Sequence, residues 1–229
     1  MVLGIGAVVA AGAGVAAYGL ANDDDDDTTT APADVSLDDL EPALLTEDEV
    51  GAGFSEVSAG SDDDDLDLDE METSDECREV IESFEGADDG DEVQVEFDTD
   101  DEATLSHSLA LIDEDDPSFG DVRDAIGQCR TITWDDGETQ GEIRLSTEDI
   151  DGPADDAFAL EVEIEASSGA VSVTLDGYTV YSMRDGVVST LGAFGAVDSA
   201  TFEGEPADRD LVRSLTDTVD EKVREVLED

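Results

Sequence analysis

Sixty-six aspartate and glutamate side chains stand against nine lysines and arginines, so any compact fold of this chain must tolerate a formal net charge of −57. Lys222 is the sole lysine. Folding draws these like charges together, and the repulsion is screened only as the Debye length falls from about 10 Å at 0.1 M salt to about 3 Å at 1 M. The composition therefore implies a saline habitat. The acids are not confined to a tail, because Glu161, Glu163 and Glu165 lie inside a strand-like segment. Such a field excludes nucleic acid as a partner, since that binding depends on Lys and Arg displacing counterions from phosphate, and it disfavours anionic lipid.

Residues Val2 to Ala21 carry no charged side chain and run directly into Asn22 and the aspartates Asp23 to Asp27. About 20 residues just suffice to cross a bilayer, although five glycines and many alanines make the run weakly hydrophobic. Residues 1–21 thus read as a signal peptide or a signal anchor, with possible attachment to the membrane. No Lys or Arg precedes the run, and no cysteine near Ala21 offers a lipoprotein attachment site. The expected location is extracellular, or the outer face of the cytoplasmic membrane.

Two cysteines, Cys77 and Cys129, are an even count in an exported chain, which favours a disulfide. Closing a loop of about 50 residues stabilises a fold by roughly 4 kcal/mol in the chain-entropy model. Two buried thiols or half a metal site are the alternatives, the second a poor one because structural zinc takes four nitrogen or sulfur ligands.

Residues 22–43, rich in Asp, Thr, Ala and Pro, are expected to form a disordered acidic spacer before a domain over 44–229. Thr46 and Glu49 have the spacing of a capping box and should open a short helix limited by Gly51 and Gly53. Ser61 to Glu72 reads as an acidic loop, and Val80, Ile81 and Phe84 after Cys77 have helical spacing. A second helix fits Ser118 to Gln128, with Phe119, Val122, Ala125 and Ile126 on one face. Strands are expected at Val93 to Phe97, Thr104 to Ile112, Arg130 to Trp134, Gln140 to Ser146, Phe158 to Ala166, Ala170 to Leu175, Tyr178 to Met183 and Val187 to Phe194. The clearest is Phe158 to Ala166, whose alternation puts one face in the core and one in water. Arg184, Asp185 and Gly186 turn the last hairpin. Leu211, Leu215, Val219, Val223 and Leu227 recur every four residues and mark a closing amphipathic helix that packs on the sheet. The expected fold class is α+β, a mostly antiparallel sheet packed with a few helices.

Chemistry-bearing patterns are few. His107 is the only histidine, and in strand phase it shares a face with Leu105, Leu109 and Leu111, which favours a hydrogen-bonded, partly buried ring over a catalytic base. No glycine-rich phosphate loop is present. Asp65, Asp67 and Asp69 resemble half of a calcium loop, with Glu76 in the terminal-ligand position but Glu70 where an EF-hand needs glycine. In so acidic a background, diffuse cation condensation is the expected behaviour. No cofactor and no catalysis are expected.

From about Leu44 to Leu227 the chain resembles the extracellular sensor domain of actinobacterial PknH-type serine/threonine kinases and related secreted or lipoprotein sensor-domain proteins. The residues that carry this are Leu44-Leu45-Thr46-Glu47-Asp48-Glu49-Val50, Cys77 opening a helix, Gln128-Cys129-Arg130 before a strand, the hairpin from Tyr178-Thr179-Val180 to Val187-Val188-Ser189-Thr190, and the closing helix. The resemblance implies a central antiparallel sheet with a cleft and an extracellular ligand. The departures are a single cysteine pair, where two disulfides are common, no kinase domain, and the acid content. The function expected is a non-catalytic sensor-like or ligand-binding domain of the envelope, with an unknown small molecule or envelope component as partner. An acidic structural or interaction protein that accumulates divalent cations is the alternative.

Overall fold

The computed structural model describes residues 35–57, 71–74, 77–78, 92–99, 103–112, 119–135, 137, 139–150, 154, 156–169, 171–198, 201–202 and 204–228. The apolar segment 1–21 lies outside them, as do Val80, Ile81 and Phe84 of the helix expected after Cys77. Among the described residues no helix is long and apolar enough to cross a membrane.

The strands are β1 (Phe54–Val57), β2 (Met71–Glu72), β3 (Glu92–Thr99), β4 (Thr104–Leu111), β5 (Thr131–Asp135), β6 (Gln140–Asp149), β7 (Asp156–Ser168), β8 (Val171–Arg184) and β9 (Val187–Phe194). They form one sheet in the order β1-β3-β4-β9-β8-β7-β6-β5-β2, every pairing antiparallel. Strands β5 to β9 run as a meander that returns β9 to the side of β4. The helices are α1 (Leu37–Leu40), α2 (Glu47–Val50), α3 (Phe119–Gln128) and α4 (Arg209–Glu228). The fold is α+β and mostly sheet.

Each sheet face has its own core. Phe158, Leu160, Val162 and Ile164 of β7 point to one side, where they meet Phe119, Ala125 and Ile126 of α3 together with Cys77 and Cys129. Tyr178 and Val180 of β8, with Leu105, Leu109 and Leu191, point to the other side and pack against Val212, Leu215, Val219 and Val223 of α4. Full burial of a Val or Leu side chain stabilises by about 1.5–3 kcal/mol, so the four-residue stripe on α4 anchors that helix.

Three expectations need correction. The spacer ends earlier than residue 43: Leu37–Leu40 is helical, Glu41–Ala43 forms a 3-10 turn, and Leu40 and Ala43 are fully buried. The local cause is Asp39, whose carboxylate accepts from the N–H and hydroxyl of Ser36 at 3.0 and 2.5 Å and so fixes the first turn. The two strands expected at 170–175 and 178–183 are not separate: Val171–Arg184 is one continuous strand, β8. Gly177 is no break there, because the Phe194 ring of β9 lies over it and a Cβ would stand 2.5 Å from Phe194 Cε1. Met71 and Glu72, placed in an acidic loop, pair with Trp134 and Thr133 as an edge strand. The hairpin turn is as expected: Asp185 and Gly186 have φ of 47° and 77°, the positive values a two-residue turn between twisted strands requires.

Candidate functional site

Cys77 and Cys129 are joined in a disulfide, with Cα atoms 4.8 Å apart. The bond ties the short helical turn at Cys77 to the end of α3 just before β5. A bonded pair fits a chain folded outside the reducing cytoplasm. Asp65, Asp67, Asp69 and Glu76 lie outside the described residues. Among those that are described, no group of three or more His, Cys, Asp or Glu side chains is placed to hold a metal ion.

His107 is fully buried rather than partly so. The N–H of Leu45 donates to its Nδ1 at 3.2 Å, which makes Nδ1 an acceptor and leaves the proton on Nε2, 3.3 Å from Ser189 Oγ. Burial, with a smaller push from Lys222, lowers its pKa to about 3. The ring therefore donates to Ser189 and cannot withdraw that hydroxyl's proton. Its work is structural: it pins the segment leading into α2 against the sheet. Lys222 of α4 reinforces this, donating to the Leu44 carbonyl and, at 2.9 Å, to Glu49. Burial pushes the Glu49 carboxyl up, but the bonds from Lys222 and Thr46 outweigh it and hold the pKa below the usual range.

Beyond the edge of α4, the same sheet face carries an open lattice of charge. Arg144 on β6 contacts Glu142, Glu163 and Glu165, Arg209 contacts Glu161, and Arg213 contacts Glu148 at 2.9 Å. The guanidiniums of Arg209 and Arg213 each lie 5.4 Å from the centre of the buried Tyr178 ring, and Arg213 Nε donates to its hydroxyl at 2.8 Å. Carboxylates outnumber guanidiniums here. Asp176, beside Glu163, is pushed up by burial and then by that neighbour.

The opposite face holds a different arrangement over β4, β9 and β8. Register aligns Ser106, Gly192 and Thr179 as one rung, and Ser108 and Thr190 as part of the next. Ser108, Thr179 and Thr190 are buried to 6%, 1% and 2% exposure. A Cβ at Gly192 would stand 2.9 Å from Thr179 Oγ1 and 3.5 Å from Ser106 Oγ, so both hydroxyls approach one point above the glycine. Thr179 Oγ1 has no hydrogen-bond partner among the described residues. A buried hydroxyl left unpaired costs about 1–3 kcal/mol, a cost that a further polar partner such as an ordered water would remove. Asp98 on β3 pairs with Thr104 next to this floor, its Oδ1 likewise buried and without such a partner, and burial pushes its carboxyl up. An open polar groove between the turns is lined by Asp135, Gly137, Thr139, Gln140, Ser167 and Gly169.

No protein-family model and no curated protein matches this chain. A solved structure of an uncharacterized protein from Mycobacterium smegmatis, the Rv0999 ortholog, is similar over 76% of this chain and 90% of that one, at 11% identity and a TM-score of 0.40. At that score the likeness carries no argument.

Proposed function

We propose that the chain is a non-catalytic extracellular module of the cell envelope, sensor-like as in the PknH-type domains, that binds a small ligand in a saline environment. The observation that carries this reading is the hydroxyl floor at Gly192, where Thr179 Oγ1 is buried without a partner among the described residues. A buried hydroxyl left without a partner is a hydrogen-bonding position that a ligand atom would satisfy. The absence of catalysis is supported by His107, whose acceptor nitrogen is occupied by Leu45.

A thermal-shift screen of the full chain against a metabolite collection, at several salt concentrations, tests the reading. The wild type should be stabilised by a few compounds, and Gly192→Ala, which fills the floor, should lose that response while still unfolding cooperatively. Compounds that stabilise both proteins equally would place the ligand elsewhere. A response to calcium alone would favour the cation-accumulating reading instead.

A further inference from the structure

We infer that residues 35–50 form a strap gated by ionic strength: seated at high salt, it swings away about Gly51 and Gly53 as salt falls, so that the chain reports the salinity around it. This goes beyond the ligand reading and needs no occupant at Gly192. The strap comprises α1, the 3-10 turn and α2, and its residues divide into two sets. Leu40, Ala43, Leu45 and Val50 are buried in one core with Leu105, Leu109, Val212 and Val219, whereas Asp38, Asp39, Glu41, Glu47, Asp48 and Glu49 are all exposed. Beside those six acids the segment has no Lys, Arg or His. Helix α4, on which α1 and the 3-10 turn pack, itself carries six acids against four bases. Seating therefore sets apolar burial against the repulsion of like charges in a chain of net charge −57. Salt leaves the first in place and shortens the range of the second, from about 10 Å at 0.1 M to about 3 Å at 1 M.

The polar contacts that hold the strap down are few. Leu45 N–H donates to His107 Nδ1 at 3.2 Å, and Lys222 donates to the Leu44 carbonyl and to Glu49. Among the described residues Lys222 is the only Lys or Arg bonded to the strap. Salt weakens the Lys222–Glu49 attraction as well, but that is one partly covered pair against six exposed acids, so the net effect of salt is to seat the strap. The strap takes no place in the sheet and can leave without breaking a strand pairing. Its joint to β1 is built to bend: Gly51 and Gly53 have φ of 98° and 109°, and a Cβ at either would meet nothing within 4 Å. Glu56 N–H donates to Glu47 across that joint at 2.8 Å, an exposed contact. A segment with few buried contacts opens at a lower free energy than the sheet behind it.

Hydrogen exchange on the full chain, followed by mass spectrometry through a sodium chloride series with a chelator present, tests the strap. Each segment is referenced to an unfolded peptide of its own sequence in the same buffer, which removes the effect of salt on exchange itself. Amides of the strap should lose about tenfold or more of their protection between molar salt and about 0.1 M, while those of β8 and β9 keep theirs. Neutralising three strap acids that make no side-chain cap, with Asp38→Asn, Glu41→Gln and Asp48→Asn together, should flatten that loss. Removing the same charge from exposed acids elsewhere, with Asp124→Asn, Asp156→Asn and Glu205→Gln together, should leave it as in the wild type. Strap protection that is constant with salt, or that falls in step with β8 and β9, would overturn the inference. So would a strap variant that keeps the full loss, or two variants that flatten it equally, since the cause would then not be the strap's own charge. The Gly192→Ala screen decides the ligand reading separately.

Discussion

Arg184 and Arg144 project from the same face of one sheet, yet they meet carboxylates in opposite ways. Arg184, at the end of β8, lies beneath α4 and grips Asp220 with two bonds, Nε to Oδ1 at 2.6 Å and Nη2 to Oδ2 at 2.9 Å. The two side chains are 17% and 4% exposed. Arg144, two strands away on β6, is 48% exposed and shared among Glu142, Glu163 and Glu165. The first contact is a two-bond fork of fixed geometry, and it orients α4 on the sheet. The second is a base diluted among acids in water, and its effect is to relieve repulsion among them. In a chain of charge −57 the covered half of the face is held by geometry and the open half by screening.

The largest effect expected from this contrast is that of salt on the whole domain. With a chelator present, the unfolding midpoint should climb through the molar range of sodium chloride, by more than any substitution below displaces it, because the Debye length shrinks to about 3 Å at 1 M. A midpoint flat in sodium chloride but raised many degrees by millimolar calcium would break the contrast. It would also make Asp65, Asp67, Asp69 and Glu76 the residues to test.

Next comes the buried fork. Asp220→Ala leaves a largely covered guanidinium without its carboxylate and should cost about 3 kcal/mol in denaturant unfolding. Because the pair is shielded from solvent ions, that loss should be nearly the same at low and high salt. A loss that fades in molar salt would mean that Arg184 and Asp220 behave like the lattice.

How much of this was legible in the sequence follows from the range of the contacts. The alternation in β7 and the Asp185–Gly186 turn are local, and both could be read directly. The helix α1 was hidden because Asp38, Asp39 and Glu41 look like spacer until Leu40 and Ala43 are seen to be buried. Thr46 and Glu49 carry the same Ser/Thr-to-acid pattern as Ser36 and Asp39, a signal that could have moved the boundary. The hydroxyl floor had no such signal. Ser106, Thr179 and Gly192 belong to three strands, and only the register of β4, β9 and β8 brings them to one rung.

A smaller effect tests the covered half again through His107. Its folded pKa of about 3 lies below the unfolded value of 6.5, so its contribution is fully present above pH 6.5 and is lost as the pH falls toward 3. Between pH 6.5 and pH 5 the loss is about 2 kcal/mol. Protonation of the many carboxylates acts over part of the same range, so the quantity to measure is the difference between the wild type and His107→Gln in unfolding free energy at each pH. That difference should shrink as the solution is acidified. A constant difference, or a ring that titrates near 6.5 by NMR, would show that His107 is not buried in solution.

The smallest effect belongs to Arg144, and its salt dependence rather than its size is diagnostic. Arg144→Gln keeps most of the aliphatic stem but leaves Glu142, Glu163 and Glu165 facing one another across β6 and β7, where Glu142 sits opposite Glu165 and residue 144 opposite Glu163. Like charges directly opposite on a sheet destabilise it, so the variant should unfold earlier than the wild type at low salt. Each of these carboxylates is reached by solvent, and their repulsion is screened once the Debye length falls below their separation. The loss should therefore diminish steadily with sodium chloride and vanish in the molar range, where that of Asp220→Ala persists. Measuring both variants across one salt series puts the comparison on a single axis. Parallel curves would mean that exposure does not decide what an ion pair contributes in this fold, and a loss in Arg144→Gln that survives molar salt would assign Arg144 a packing role in the sheet.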